Sequence, residues 1–343
     1  MRRTLLLLAL PFVGFTASAQ LQRIVVQGSG TPQVFTNITD ALAAAQDNDK
    51  LYFSGGSFAA TGDITIDRPL HLIGAGIGPD SSAVTGVTVI APTGETHVVT
   101  AASGSTFTGI RFATTMRYGN GTAEFAPTGI TFQRCEFVSQ ANLGEGSEST
   151  FDECLFRHRF YGNNGIAVVT RCIFTFAGNA THQPIGSFGT GGLTMDHCTL
   201  IGSRVSNSAN STVTNCIFTR DSAPFWQSNG STIINNLFVS DVLVSNMTVG
   251  AESGNVLNVP VETIFVNETN SNFDWTDDIH LQTSSEGVGM ATDGTDVGIY
   301  GTNSPYKPGA VPFNPHFRSA AIDAATNANG DLPVNIRLAA QTH

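Results

Sequence analysis

The sequence predicts an all-β solenoid of stacked parallel coils with a short capping helix at its N-terminal end, and three observations point there. A string centred on a cysteine recurs: "ITFQRCEFVS" from Ile130, "STFDECLFRH" from Ser149, "AVVTRCIFTF" from Ala167, "LTMDHCTLIG" from Leu193, "STVTNCIFTR" from Ser211 and "STIINNLFVS" from Ser231. Apolar residues flank it at fixed offsets. Only 13% of the residues are charged and 36 are glycine, which suits many short strands joined by tight turns.

The chain opens "MRRTLLLLALPFVGFTASAQ", so residues 1–19 read as a secretory signal peptide cleaved after Ala19. Its apolar run, Leu5 to Phe15, is too short to span a bilayer, and no later segment is long enough to form a transmembrane segment. The protein is expected to be exported: secreted or extracellular, with the periplasm as the other destination. Loss of Arg2 and Arg3 takes the net charge from −11 to −13. That argues against nucleic acid as a partner, because phosphate binding needs a basic surface. A monomer is expected. Five cysteines leave at least one without an intramolecular partner, so a disulfide framework is not.

Residues 20–50 read as an N-terminal strand and cap. In "TNITDALAAAQ", residues 36–46, Thr36 or Asn37 is an N-cap candidate, and Ile38, Leu42 and Ala45 share one helical face. A helix there covers strand edges that would otherwise stack between molecules.

The β-helix follows over residues 51–301. Aligned on the cysteine, slot zero holds Ile110, Cys135, Cys154, Cys172, Cys198, Cys216 and Asn236. Three residues earlier stand Phe107, Phe132, Phe151, Val169, Met195, Val213 and Ile233; two residues later come Phe112, Phe137, Phe156, Phe174, Leu200, Phe218 and Phe238. Period-two alternation puts slot zero and its neighbour two later on one face of a strand, whereas the step of three requires a corner. A strand, a two-residue corner and another strand, repeated about every 20 residues, mark a solenoid. The leucine and asparagine pattern of leucine-rich repeats is absent. The cysteines then form a column of buried free thiols. Beyond Phe238 the register blurs: Met247 fits slot zero by pattern but follows Asn236 by only 11 residues. Residues 302–343 read as a proline-rich C-terminal strap and tail, with "GDLPVNIRLAAQTH" as one last strand.

The stretch "VFTNITDALAAAQDNDKLYFSGGSFAATGDITIDRPLHLIGAG", residues 34–76, resembles the start of bacterial right-handed parallel β-helix proteins of the pectate-lyase-like superfamily. "GNVLNVPVETIFVN", "DDIHLQ" and "DGTDVGIYG" resemble their closing coils. The resemblance implies a single-stranded right-handed parallel β-helix. It leaves activity open, because that superfamily holds lyases, hydrolases and adhesins. Its polygalacturonase-type motif set, its Trp-Ile-Asp-His motif and its Arg-x-Pro-x-x-Arg motif are missing.

A solid β-helix binds nothing inside, so candidate sites lie on corners and outer faces. The corner slot before the cysteine carries Arg134, Glu153, Arg171, His197, Asn215 and Asn235; the asparagines suit a left-handed corner, and the first four are binding candidates on an exposed edge. In "FRHRFYGNNG", Arg157, His158, Arg159 and Tyr161 are the catalytic candidates of a lyase, which neutralises a uronate carboxylate and removes the proton beside it. Phe160 and Trp226, with Tyr161 and Phe225, are read as loop aromatics for sugar stacking. Asp152 and Asp196 stand two coils apart, about 10 Å, at the upper limit for a hydrolase pair. No metal site and no cofactor are expected, with Ca²⁺ entering only for a lyase. The expected function is an exported, non-catalytic β-helix presenting a face to a polysaccharide, cell-surface glycan or matrix. The alternative is a lyase or hydrolase acting on an acidic polysaccharide.

Overall fold

The computed structural model describes residues 22–78, 86–120, 123, 125–176, 184–268, 272–307, 316–322, 325–327 and 329–339. The expected signal peptide lies outside them. The chain winds into a parallel β-helix of three sheets, one of twelve strands and two of nine, in which each coil adds one strand to each sheet. All pairings between successive coils are parallel; the antiparallel exceptions are the first strands and two hairpins.

The register matches the offsets read from the sequence. In the first sheet Phe107, Phe132, Phe151, Val169, Met195, Val213 and Ile233 stack in one column. In the second, Phe112, Phe137, Phe156, Phe174, Leu200, Phe218 and Phe238 do the same. Their rings lie face to face, 4.7 Å apart for Phe107 and Phe132 and 4.5 Å for Phe156 and Phe174. Burying each such ring stabilises the fold by about 1.5–3 kcal/mol.

The two-residue corner takes left-handed backbone: Arg134, Glu153, Arg171, His197, Asn215 and Asn235 all have φ between 48° and 57°. That conformation costs a non-glycine residue about 1–2 kcal/mol. The corner also lifts the slot-zero amide out of the backbone ladder. Four of these amides find their acceptor in the slot-zero side chain one coil on: Cys154 N–H donates to Cys172 Sγ, Cys198 N–H to Cys216 Sγ, Cys216 N–H to Asn236 Oδ1 and Asn236 N–H to Asn255 Oδ1. A thiol is small enough to pack and polar enough to accept, which explains both the cysteine column and its continuation by asparagine. All five cysteines are buried and free.

The third strand of each coil is not apparent from the repeat. It contributes one inward residue per coil, in the column Ile64, Thr96, Met116, Ala141, Phe160, Ile185, Val205, Phe225 and Val244. Phe160 and Phe225 are therefore fully buried core residues, not loop aromatics. The register also continues one coil further than the sequence suggested. Slot zero is Asn255, whose Oδ1 accepts from Asn236 N–H, preceded by Gly254 at φ 62°; Met247 is not in the column.

Helix α1, Ile38–Ala44, is capped by Asn37, whose side chain accepts from Thr39 N–H, and buries Ile38 and Ala41 over the first coil. Residues 256–259 still bond the second sheet in parallel, Val256 bridging Leu237, and the chain then leaves the coil. Residues 260–268 and 272–307 run back along the outside, packing Val297, Ile299, Phe265 and Phe273 onto Leu155, Ile173, Ile217 and Leu237 of the second sheet. The segments expected to close the helix within 260–301 are thus a strap across its side. His316–Ile322 and Val334–Ala339 form an antiparallel hairpin, so the expected last strand has a partner.

Candidate functional site

The corner edge is not an open surface. Arg134 and Glu153 are buried and joined by two hydrogen bonds, Nε to Oε2 at 3.0 Å and Nη2 to Oε1 at 3.1 Å. Successive strap residues meet successive corners. Asn235 Nδ2 donates to Met290 O, Asn215 exchanges hydrogen bonds with Thr292, and His197 Nε2 lies 3.3 Å from Thr295 Oγ1. Arg171 donates to Ser304 O, and Glu153 Oε2 accepts from Lys307 N–H. The expected exposed binding edge of Arg134, Glu153, Arg171 and His197 is thus a seam between coil and strap. The polar corner ladder offsets its backbone cost by anchoring that strap.

The two aspartates considered as a hydrolase pair are engaged likewise. Asp152 holds Arg171, and Asp196 accepts from His197, Thr214 and Asn215. Burial alone would raise the Asp196 carboxyl, but these hydrogen bonds outweigh it and hold the group below its ordinary range.

The lyase candidates are separated. Arg157 turns to Glu136 and to Phe273 O beneath the strap. The His158 ring stacks on Phe176 with centroids 4.4 Å apart. Arg159 lies over the Tyr161 ring at 4.4 Å. These four side chains do not converge on one point where a uronate carboxylate and its neighbouring proton would both sit. Among the described residues, no group of three His, Cys, Asp or Glu side chains is placed to hold a metal ion. Among the same residues, no helix is long and apolar enough to cross a membrane.

What the structure does assemble is a strip on the outer face of the third sheet. Because Phe160, Ile185, Val205 and Phe225 face inward, the next residue of each strand faces outward: Tyr161, Gly186, Ser206 and Trp226 in register on successive coils. The two rings stand three coils apart, about 14 Å at the ordinary strand spacing. The residues between them, Gly186 and Ser206, are small and buried. Each ring carries an arginine, Arg159 over Tyr161 and Arg204 over Trp226 at 5.5 Å. Both rings are part-exposed. Sequence reasoning found Tyr161 and Trp226 by residue type but placed them in loops; their shared column becomes legible only once the third strand is known. No protein-family model and no curated protein matches this chain.

Proposed function

We propose that this protein is an exported, non-catalytic β-helix that binds a glycan along the outer face of its third sheet. The observation that supports this most is the pairing of Tyr161 and Trp226 in one outward column, each ring with an arginine against it. Sugar rings stack on aromatic faces while their hydroxyls take polar partners, and one coil spacing, about 4.8 Å, is close to the length of one pyranose. A parallel β-helix is a stiff ruler for such a chain. Lysis of a uronate polymer is not adopted, since Arg157, His158 and Arg159 face three different neighbours.

The test is retention of the mature protein on a glycan array, alongside Tyr161→Ala and Trp226→Ala. Each variant is expected to lose at least tenfold in retention while melting within a few degrees of the parent. Release of unsaturated, ultraviolet-absorbing ends from polygalacturonate or alginate, with or without Ca²⁺, would overturn the non-catalytic reading.

A further inference from the structure

The outward column of the third sheet does not begin at Tyr161. In the N-terminal direction it continues through Asn142, Arg117 and His97 to Thr65. Resting on the glycan-binding reading, we propose that these coils form a subsite for uncharged hexose units, in which His97 and Asn142 accept hydrogen bonds from sugar hydroxyls.

Two side chains carry the inference. His97 and Asn142 are each only 5% exposed although strand alternation sets them outward. Each has a buried polar atom without a hydrogen-bond partner, Nδ1 of His97 and Oδ1 of Asn142. Such an orphan costs about 1–3 kcal/mol, and natural structures leave few of them. His97 Nε2 lies 3.3 Å from Asp63 Oδ2. A carboxylate only accepts, so Nε2 carries a proton, and in the neutral tautomer that this fixes Nδ1 presents a lone pair. The amide N–H of Glu95 also bonds Asp63 and, with His97, keeps that carboxyl below its ordinary range. Both orphans are thus acceptors, two coils or about 10 Å apart, and the matching ligand supplies hydroxyl donors.

The surrounding charge selects against a uronate. Arg117, between the two orphans, is bound by Glu95 through Nε at 2.7 Å and Nη2 at 3.1 Å. Asp63 and Glu95 add negative charge beside His97. A sugar carboxylate placed there would meet the Asp63 carboxylate and two lone pairs, with the one nearby cation, Arg117, already held by Glu95, whereas a neutral hexose offers a donor on most ring carbons.

The experiment uses the mature protein, with Asn142→Leu and His97→Phe, on immobilised neutral hexose polymers (β-glucan, mannan, galactan) and on polygalacturonate. The expected result is retention on a neutral polymer, weakened at least tenfold by either substitution, with melting temperature unchanged or raised because an unsatisfied buried group has been removed. The ¹⁵N resonance of His97 Nδ1 should shift when a soluble oligosaccharide of the retained polymer is added. Retention that depends on Trp226 but not on His97 or Asn142, or an Nδ1 resonance that stands still on binding, would overturn the subsite and leave the wider glycan reading intact. Retention on polygalacturonate alone would also overturn the subsite. No retention on any polymer would overturn both.

Discussion

Replacing Glu153 by Gln distinguishes a buried corner from an exposed one. An exposed Arg–carboxylate pair contributes about 0–1 kcal/mol. Here both partners are sealed, with side-chain exposures of 0% for Arg134 and 1% for Glu153, so removing the negative charge takes the buried carboxylate away from a guanidinium in the interior. Breaking such a pair from one side costs about 3–5 kcal/mol. Glutamine keeps the volume and one acceptor, so the expectation is the lower end, about 3 kcal/mol. The substitution also weakens the acceptor of Lys307 N–H, so strap and coil should loosen together. Urea unfolding gives the global number, and hydrogen exchange gives the local one: the amides of Lys307 and of the coils bearing Arg134 and Glu153 should lose protection first. The double variant Arg134→Met with Glu153→Gln should recover much of the loss, because no buried charge is left alone. A cost of 0.5 kcal/mol or less for Glu153→Gln would refute the burial argument.

The other expectations follow from the same geometry. The five thiols should not react with a water-soluble disulfide reagent in the native protein at pH 8 and should all react once it is unfolded without reductant; two protected as disulfides would contradict the column. Burial pushes the Cys172 thiol from its ordinary value of 9.0 to about 11, so its contribution to stability is complete below pH 9 and is lost as pH rises from 9 to 11. The loss is on the order of 3 kcal/mol for a single proton, measurable as the urea midpoint against pH; a flat profile to pH 11 would argue against it. Asn236→Cys should be tolerated within about 2 kcal/mol, since a sulfur already accepts the equivalent amide in two other coils. Asn236→Leu should cost more, by orphaning Cys216 N–H.

The coil was legible because its first two columns are near-invariant in class and separated by a fixed five residues, as in Phe132 to Phe137 and Phe151 to Phe156. The third column was hidden by its connection: four residues separate Phe156 from Phe160, but eleven separate Phe174 from Ile185. One inward residue at variable spacing leaves no periodic signal. Phe160 and Phe225 were misplaced for that reason, and Tyr161 and Trp226 were found by type alone. The last coil escaped because Glu252 stands where the earlier coils carry Phe, Val, Met or Ile, although Gly254 and Asn255 repeat the corner pattern. The role of the corner charges depended on contacts more than 70 residues away along the chain, such as Asn215 with Thr292 and Arg171 with Ser304, which no local pattern encodes.

Stacking of a sugar ring on Trp226 is read directly by fluorescence. The chain has two tryptophans, and Trp275 packs against Phe273 of the strap, away from the strip, so Trp275→Phe leaves Trp226 as the sole emitter. Titrating that variant with a soluble oligosaccharide of a glycan retained by the parent should shift the emission saturably, with the midpoint found by calorimetry on the same sample. Calorimetric binding with no change in Trp226 emission would place the ligand elsewhere and contradict the account.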